Sequence, residues 1–169
     1  IAVRPLYGGT DHLLSSGLLG LEVDWATVET LHTLKRDDTS LIIAETPANP
    51  SLQLTNIKRL VEEAGDIPVL IDSTFATPVL QNPLSLGAQA VLHSATKYLG
   101  GHGDVMGGVI VTNEEWAKEL RGIRVATGAV LHPFAGYLLH RGLQTLGARV
   151  QMAQASATLL AQKLKDHPF

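Results

Sequence analysis

Short apolar runs alternate along this chain with stretches in which apolar residues recur at helical spacing. The runs "LEVDW" (21–25), "LIIAE" (41–45), "PVLID" (68–72), "AVLHS" (90–94) and "GGVIV" (107–111) are rich in Val, Ile and Leu, each near a Gly, Pro or polar break. Brief runs of that kind suit buried strands of a largely parallel sheet. Val28, Leu31 and Leu34 predict a helix over 26–36, and Ile57, Leu60, Val61 and Ala64 predict another over 55–65. Thr55 is the expected N-cap of the second and Gly65 its stop. Asn113 should cap a helix over 114–124, where Glu114 and Lys118 form a favourable i,i+4 pair. A long apolar helical region covers about 133–165, with a break expected near Gly142 or Gly147.

Strands alternating with helices predict an α/β layered fold with right-handed connections. No repeat or low-complexity segment divides the chain, so residues 1–169 are expected to form one domain. In an open α/β sheet, ligands bind beyond the carboxyl ends of the strands. Those ends are Glu45 to Asn49, Asp72 to Phe75 and Ser94 to Lys97, three polar segments expected to face one crevice.

Composition narrows the function classes. Apolar residues make up 45% and charged residues 17%, which suits a packed core. A net charge of −3 offers no basic stripe for nucleic acid or an anionic membrane. Charged residues or histidine interrupt every apolar run before it could cross a bilayer. With no cysteine, disulfides, thiolate catalysis and Cys-based zinc sites are ruled out, and a cytoplasmic location is expected. The chain opens on "IAVRPLY", without an initiator Met or the pattern of a signal peptide, and closes on an amphipathic helix reaching a Pro stop. It is therefore expected to be a piece of a longer protein.

The chemistry concentrates in "HSATKYLGGHGDVMGG" (93–108). No Gly-Lys-Ser/Thr occurs, so the glycines form no P-loop, and Met106 replaces the third glycine of a dinucleotide fingerprint. There is no Gly-x-Ser-x-Gly elbow and no His-Glu-x-x-His spacing, and no metal is expected. A cofactor with a carbonyl, a ring nitrogen and a phosphate fits better. A lysine amine such as Lys97 can form a Schiff base with the carbonyl, and a carboxylate such as Asp72 keeps the ring nitrogen protonated. The hydroxyls of Ser94 and Thr96 suit phosphate oxygens. Taken singly, each feature has an ordinary reading as well. A strand-end Asp commonly forms a turn or caps a helix, and Ser-x-Thr-Lys is a common surface turn. Their joint occurrence at strand ends favours the cofactor.

The stretches "PLYGGT" (5–10), "ETPANP" (45–50) and "IDSTFATPVLQNPLSLGAQAVLHSATKYLGGHGDVMGGVIV" (71–111) closely resemble the Cys/Met-metabolism family of pyridoxal-phosphate enzymes. That group includes cystathionine γ-synthase, cystathionine and methionine γ-lyases and the O-acyl-homoserine sulfhydrylases. The resemblance implies the large domain of the fold-type-I, aspartate-aminotransferase-like architecture, a mainly parallel sheet flanked by helices, in a homotetramer built as a dimer of dimers. It implies that Lys97 forms the internal aldimine and shuttles protons, that Asp72 bonds the pyridine nitrogen, and that Ser94 and Thr96 hold the phosphate. Tyr7 would stack on the ring with an acid–base role, and Asn49 would lie near the phenolic oxygen. The implied reaction is γ-elimination from a sulfur amino acid, with γ-replacement on an activated homoserine, or a catalytically silent fragment, as alternatives. Three features depart from the family pattern, one of them "TDHLL" (10–14), which lacks the aromatic or Arg pattern many members show. Ser73 replaces the usual Asn, and Gly9 stands where dedicated methionine γ-lyases usually carry Cys.

Overall fold

The computed structural model describes residues 1–168, which divide into two compact units. The first comprises 1–93 with 108–130, and the second 94–107 with 131–169, of which Phe169 lies outside the described residues. The sheet runs in the order β2-β1-β3-β4-β5-β6. Its strands are β1 (Ala2–Val3), β2 (Trp25–Ala26), β3 (Ile42–Glu45), β4 (Val69–Asp72), β5 (Ala90–Ser94) and β6 (Gly108–Thr112). Pairing from β2 through β5 is parallel, with Ala2 opposite Ile43, Glu45 opposite Asp72, and Asp72 opposite Leu92. The expected parallel α/β sheet is present.

The first unit's core follows from the apolar runs. Ile42 and Ala44 on β3 and Val69 and Ile71 on β4 share a cluster with Val3, Ala26 and Leu31. The helix α3 (Ile57–Ala64) buries Ile57, Leu60 and Ala64 in that cluster. Its N-cap is Asn56, whose Oδ1 accepts the Arg59 N–H at 3.1 Å, not Thr55 as the sequence pattern suggests. The Thr55 N–H is instead donated to Thr46 Oγ1 at 3.0 Å. Gly65 ends the helix in the left-handed region, as expected.

Two elements are shorter than their patterns imply. Of 21–25 only Trp25 lies in a strand, because Glu22 and Asp24 turn outward to Arg36 (3.4 and 3.2 Å) instead of entering the sheet. Of 26–36 only α2 (Leu31–Leu34) is helical. There Thr27 and Thr30 exchange side-chain-to-backbone bonds, a local turn that competes with the helix. Beyond β6, Asn113 caps α5 (Glu114–Thr127) as expected, its Oδ1 accepting the Trp116 N–H at 2.9 Å.

The helices α1 (Gly8–Ser15) and α4 (Thr77–Leu80) have no counterpart in the apolar pattern. α1 buries no residue, so there is no periodicity to detect.

The second unit begins where β5 ends. Residues Ala95–Leu99 form a single π-turn, followed by a loop to Gly107. The long helical region is two helices, α6 (Pro133–Leu143) and α7 (Leu146–Leu164), broken at Gln144–Thr145 beside Gly142. Ala95, Leu99, Val105, Leu146 and Val150 are buried here. Among the described residues no helix is long and apolar enough to cross a membrane.

Candidate active site

In the first unit the chain proceeds from β1 to β2 on one side, then crosses back past β1 to β3. The strand order therefore reverses between β1 and β3, and a doubly wound sheet opens its ligand crevice at such a reversal. Tyr7 follows β1 and Asn49 follows β3, so both stand at that point. Glu45, the last residue of β3, joins them: its Oε2 accepts the Tyr7 N–H and its Oε1 accepts the Asn49 N–H at 3.0 Å. Burial pushes the Glu45 carboxyl above its ordinary range, and the neighbouring Asp72 charge adds to this. The two N–H donors pull it part of the way back. Within the Glu45 to Asn49 segment, no motif marks Glu45 itself as a site residue. The signal was present, since it closes a buried strand just as Asp72 does.

The Tyr7 ring is about half exposed, at 49%, and leans over the first turn of α1. A Cβ added at Gly9 would lie 2.6 Å from Tyr7 Cε1, so a larger residue there requires the ring to move. Arg4 ties the start of α1 to β1, pairing with Asp11 at 2.8 Å while its guanidinium lies 4.0 Å from the Trp25 ring centroid.

Asp72 ends β4 beside Glu45. Its Oδ1 accepts the Thr74 N–H at 3.0 Å and the Thr74 hydroxyl at 2.6 Å. The turn-forming reading of this aspartate is thus realised, and the same bonds fix the carboxylate in orientation. Ser73, fully buried, accepts from Gln81 Nε2 at 2.9 Å, a donor that also reaches the Thr46 carbonyl. His93 is buried on β5, and its Nδ1 has no hydrogen-bond partner among the described residues. Burial pushes the imidazole below its ordinary value, against weaker upward pulls from Asp72 and the Ser73 backbone.

In the second unit Ser94 leads into the π-turn, and Thr96 is pinned to the loop's far end. Its Oγ1 accepts the Gly107 N–H at 3.1 Å, while the Ala95 N–H is donated to the Gly107 carbonyl at 2.8 Å. Lys97 sits at the non-helical residue of the turn, exposed. It lines an open cavity of about 430 Å³ with Tyr98, Gly101, Gly103 and Arg149. Among the described residues no three His, Asp or Glu side chains converge as a metal site. His102 instead turns its Nδ1 to the Gly100 carbonyl at 2.8 Å.

The structure thus groups Tyr7, Asn49 and Asp72 around Glu45 in the first unit, and Ser94, Thr96 and Lys97 on one turn in the second. Within the first unit, the oriented Asp72 carboxylate and the exposed Tyr7 ring have the chemistry to meet a ring nitrogen and a ring face. Within the second, the accessible Lys97 amine and the Ser94 and Thr96 hydroxyls have the chemistry to meet an aldehyde and a phosphate.

A family model described as Cys/Met metabolism PLP-dependent enzyme matches residues 1–169. An L-methionine γ-lyase of Brevibacterium aurantiacum is 60% identical over 168 residues, covering 99% of this chain and 41% of that protein. A cystathionine γ-lyase of Bacillus subtilis is 43% identical over 176 residues, covering 99% and 46%. The solved cystathionine γ-synthase of Xanthomonas oryzae pv. oryzae superposes with a TM-score of 0.94 at 34% identity, covering 99% of this chain and 45% of that one. The chain spans less than half the length of each of these relatives.

Proposed function

Because this chain belongs to the Cys/Met-metabolism family of pyridoxal-phosphate-dependent enzymes, we propose that the whole protein catalyses γ-elimination from a sulfur amino acid, as methionine and cystathionine γ-lyases do. Its fold is that of the fold-type-I enzymes of this family. The observation that carries the reading is the 60% identity to a methionine γ-lyase along 99% of the chain, against 43% for the cystathionine γ-lyase.

When bound, the cofactor supplies an electron sink for a carbanion at the substrate α-carbon. In this reading Lys97 would provide the amine that meets its aldehyde, and would be released when the substrate amine takes its place. As a free amine it would remove the α-proton and return a proton to the product side. Asp72, oriented by Thr74, keeps the ring nitrogen protonated. Ser94 and Thr96 hold the phosphate, Tyr7 covers the ring, and Asn49 stands near the phenolic oxygen. Glu45 keeps Tyr7 and Asn49 in place through their backbone N–H groups. Methionine and water would then give a thiol, ammonia and a 2-oxo acid. The reading extends to a homotetramer in the cytoplasm, acting on free sulfur amino acids.

Gly9 stands where dedicated methionine lyases usually carry Cys, which weakens a methionine-specific reading, and γ-replacement on an activated homoserine is the alternative. One assay separates the two. The full-length protein is incubated with L-methionine, with L-cystathionine, and with O-succinylhomoserine plus cysteine. Release of a 2-oxo acid and a thiol from methionine supports elimination. Cystathionine formation in the third mixture, with no 2-oxo acid in the first two, overturns it in favour of replacement.

A further inference from the structure

Arg149 makes no ion pair among the described residues, yet each of the three guanidinium nitrogens has a partner. Nε donates to Thr145 Oγ1 at 3.0 Å, Nη1 to the Tyr98 carbonyl at 2.8 Å and Nη2 to the Gly142 carbonyl at 2.7 Å. Tyr98 directly follows Lys97 on the π-turn, and Gly142 lies in the last turn of α6.

The stability of its own helix does not account for this arginine. It lies in the first turn of α7, where the helix dipole disfavours a cation, and its charge serves the carboxyl end of α6 instead. The surroundings are cut to its shape. Gly101, at φ +77°, has its Cβ position filled by the Arg149 guanidinium. Gly142 has no room for a Cβ either, because α6 there meets the backbone carbonyls of Leu99 (2.7 Å) and Gly100. The far side of the turn is closed by the Lys97 carbonyl, which accepts the Gly101 N–H at 2.7 Å.

We propose that Arg149 is the positioning residue of Lys97: its planar fork locks the turn that presents the amine to the cavity they share. This rests on the reading of Lys97 as the lysine that reacts with the cofactor's aldehyde. A lysine at 149 could supply the charge but not the flat, three-way fork. The turn would then sample positions in which the amine is displaced, and displacements near 1 Å cost such reactions about a hundredfold.

The test uses the full-length protein with pyridoxal phosphate, borohydride trapping and peptide mapping, scored as labelling of Lys97 relative to the exposed Lys118. The wild type, Arg149→Met, Arg149→Lys and Thr145→Val are compared, with the thermal midpoint of each. Thr145 makes no side-chain cap to α7, so its valine variant frees the guanidinium plane and keeps the charge. We expect the rate ratio to fall at least about tenfold in both Arg149 variants. In Thr145→Val, which also removes the longer bond from the Thr145 hydroxyl to the Gly142 carbonyl (3.4 Å), it should fall about fivefold, close to the weight of one good hydrogen bond. The thermal midpoint should stay near wild type in Thr145→Val and fall in both Arg149 variants, which leave the Tyr98 and Gly142 carbonyls without their guanidinium donor. If Thr145→Val, or a folded Arg149→Met, labels Lys97 at the wild-type ratio, the proposal is wrong, and Thr145→Val alone decides should the methionine variant not fold. If the wild type itself is not labelled at Lys97, the reading of Lys97 fails instead.

Discussion

Glu45 holds two backbone N–H groups with the two oxygens of one carboxylate, and that pairing sets its sensitivity. Glu45→Gln offers one acceptor and one donor, so either Tyr7 or Asn49 must set its N–H against an NH₂ group. The expected cost is about 1–3 kcal/mol of stability, read as a lower urea midpoint. The wild-type carboxyl lies above its ordinary range, so the folded state holds that proton more tightly than the unfolded chain. Stability from this group is therefore present in acid and lost as pH rises through the raised value, and the glutamine variant should lack that slope. At this scale the sequence was readable where a residue's type and its place agreed. Asp72 stands out because a carboxylate closing a buried strand needs a partner, and the same argument applies to Glu45. Arg149 could not be found that way, since "GARV" carries no motif and its link to the Lys97 turn is a backbone carbonyl 51 residues away.

Elements were legible in proportion to how much apolar surface they bury. α3 showed clearly because Ile57, Leu60 and Ala64 enter the core, whereas α1 buries nothing and left no pattern. Helix ends were harder, because Thr55 and Asn56 are both good caps and only the tertiary bond from Thr55 to Thr46 settles which one serves. Asn56→Ala should then cost about 1 kcal/mol. A thermal melt of that variant against Thr55→Ala tests the assignment, with the larger loss expected at Asn56. In 21–25 the apolar run was real, but the two acids within it found Arg36 at the surface, a contact that periodicity cannot foresee.

Across the whole molecule, the alternation of elements announced a parallel α/β sheet, but the strand order was not in the pattern. That order sets Tyr7 and Asn49 on either side of the reversal between β1 and β3. Global stability should also carry the mark of His93. Its buried imidazole protonates less readily than in the unfolded chain, so the stability it contributes is present above its ordinary value of 6.5 and lost as pH falls below it. His93→Leu should flatten that acid-side loss in urea titrations run at a series of pH values, and an unchanged slope would place its origin elsewhere. The contact of α6 with the Lys97 turn reaches as far as the gene. At positions 100, 101 and 142 backbone or side-chain atoms occupy the space of a Cβ, whereas Gly136 on α6 and Gly147 on α7 face open space. Glycine has no synonym among the other residues at those three places, so the neutral drift open to their codons is confined to the third base.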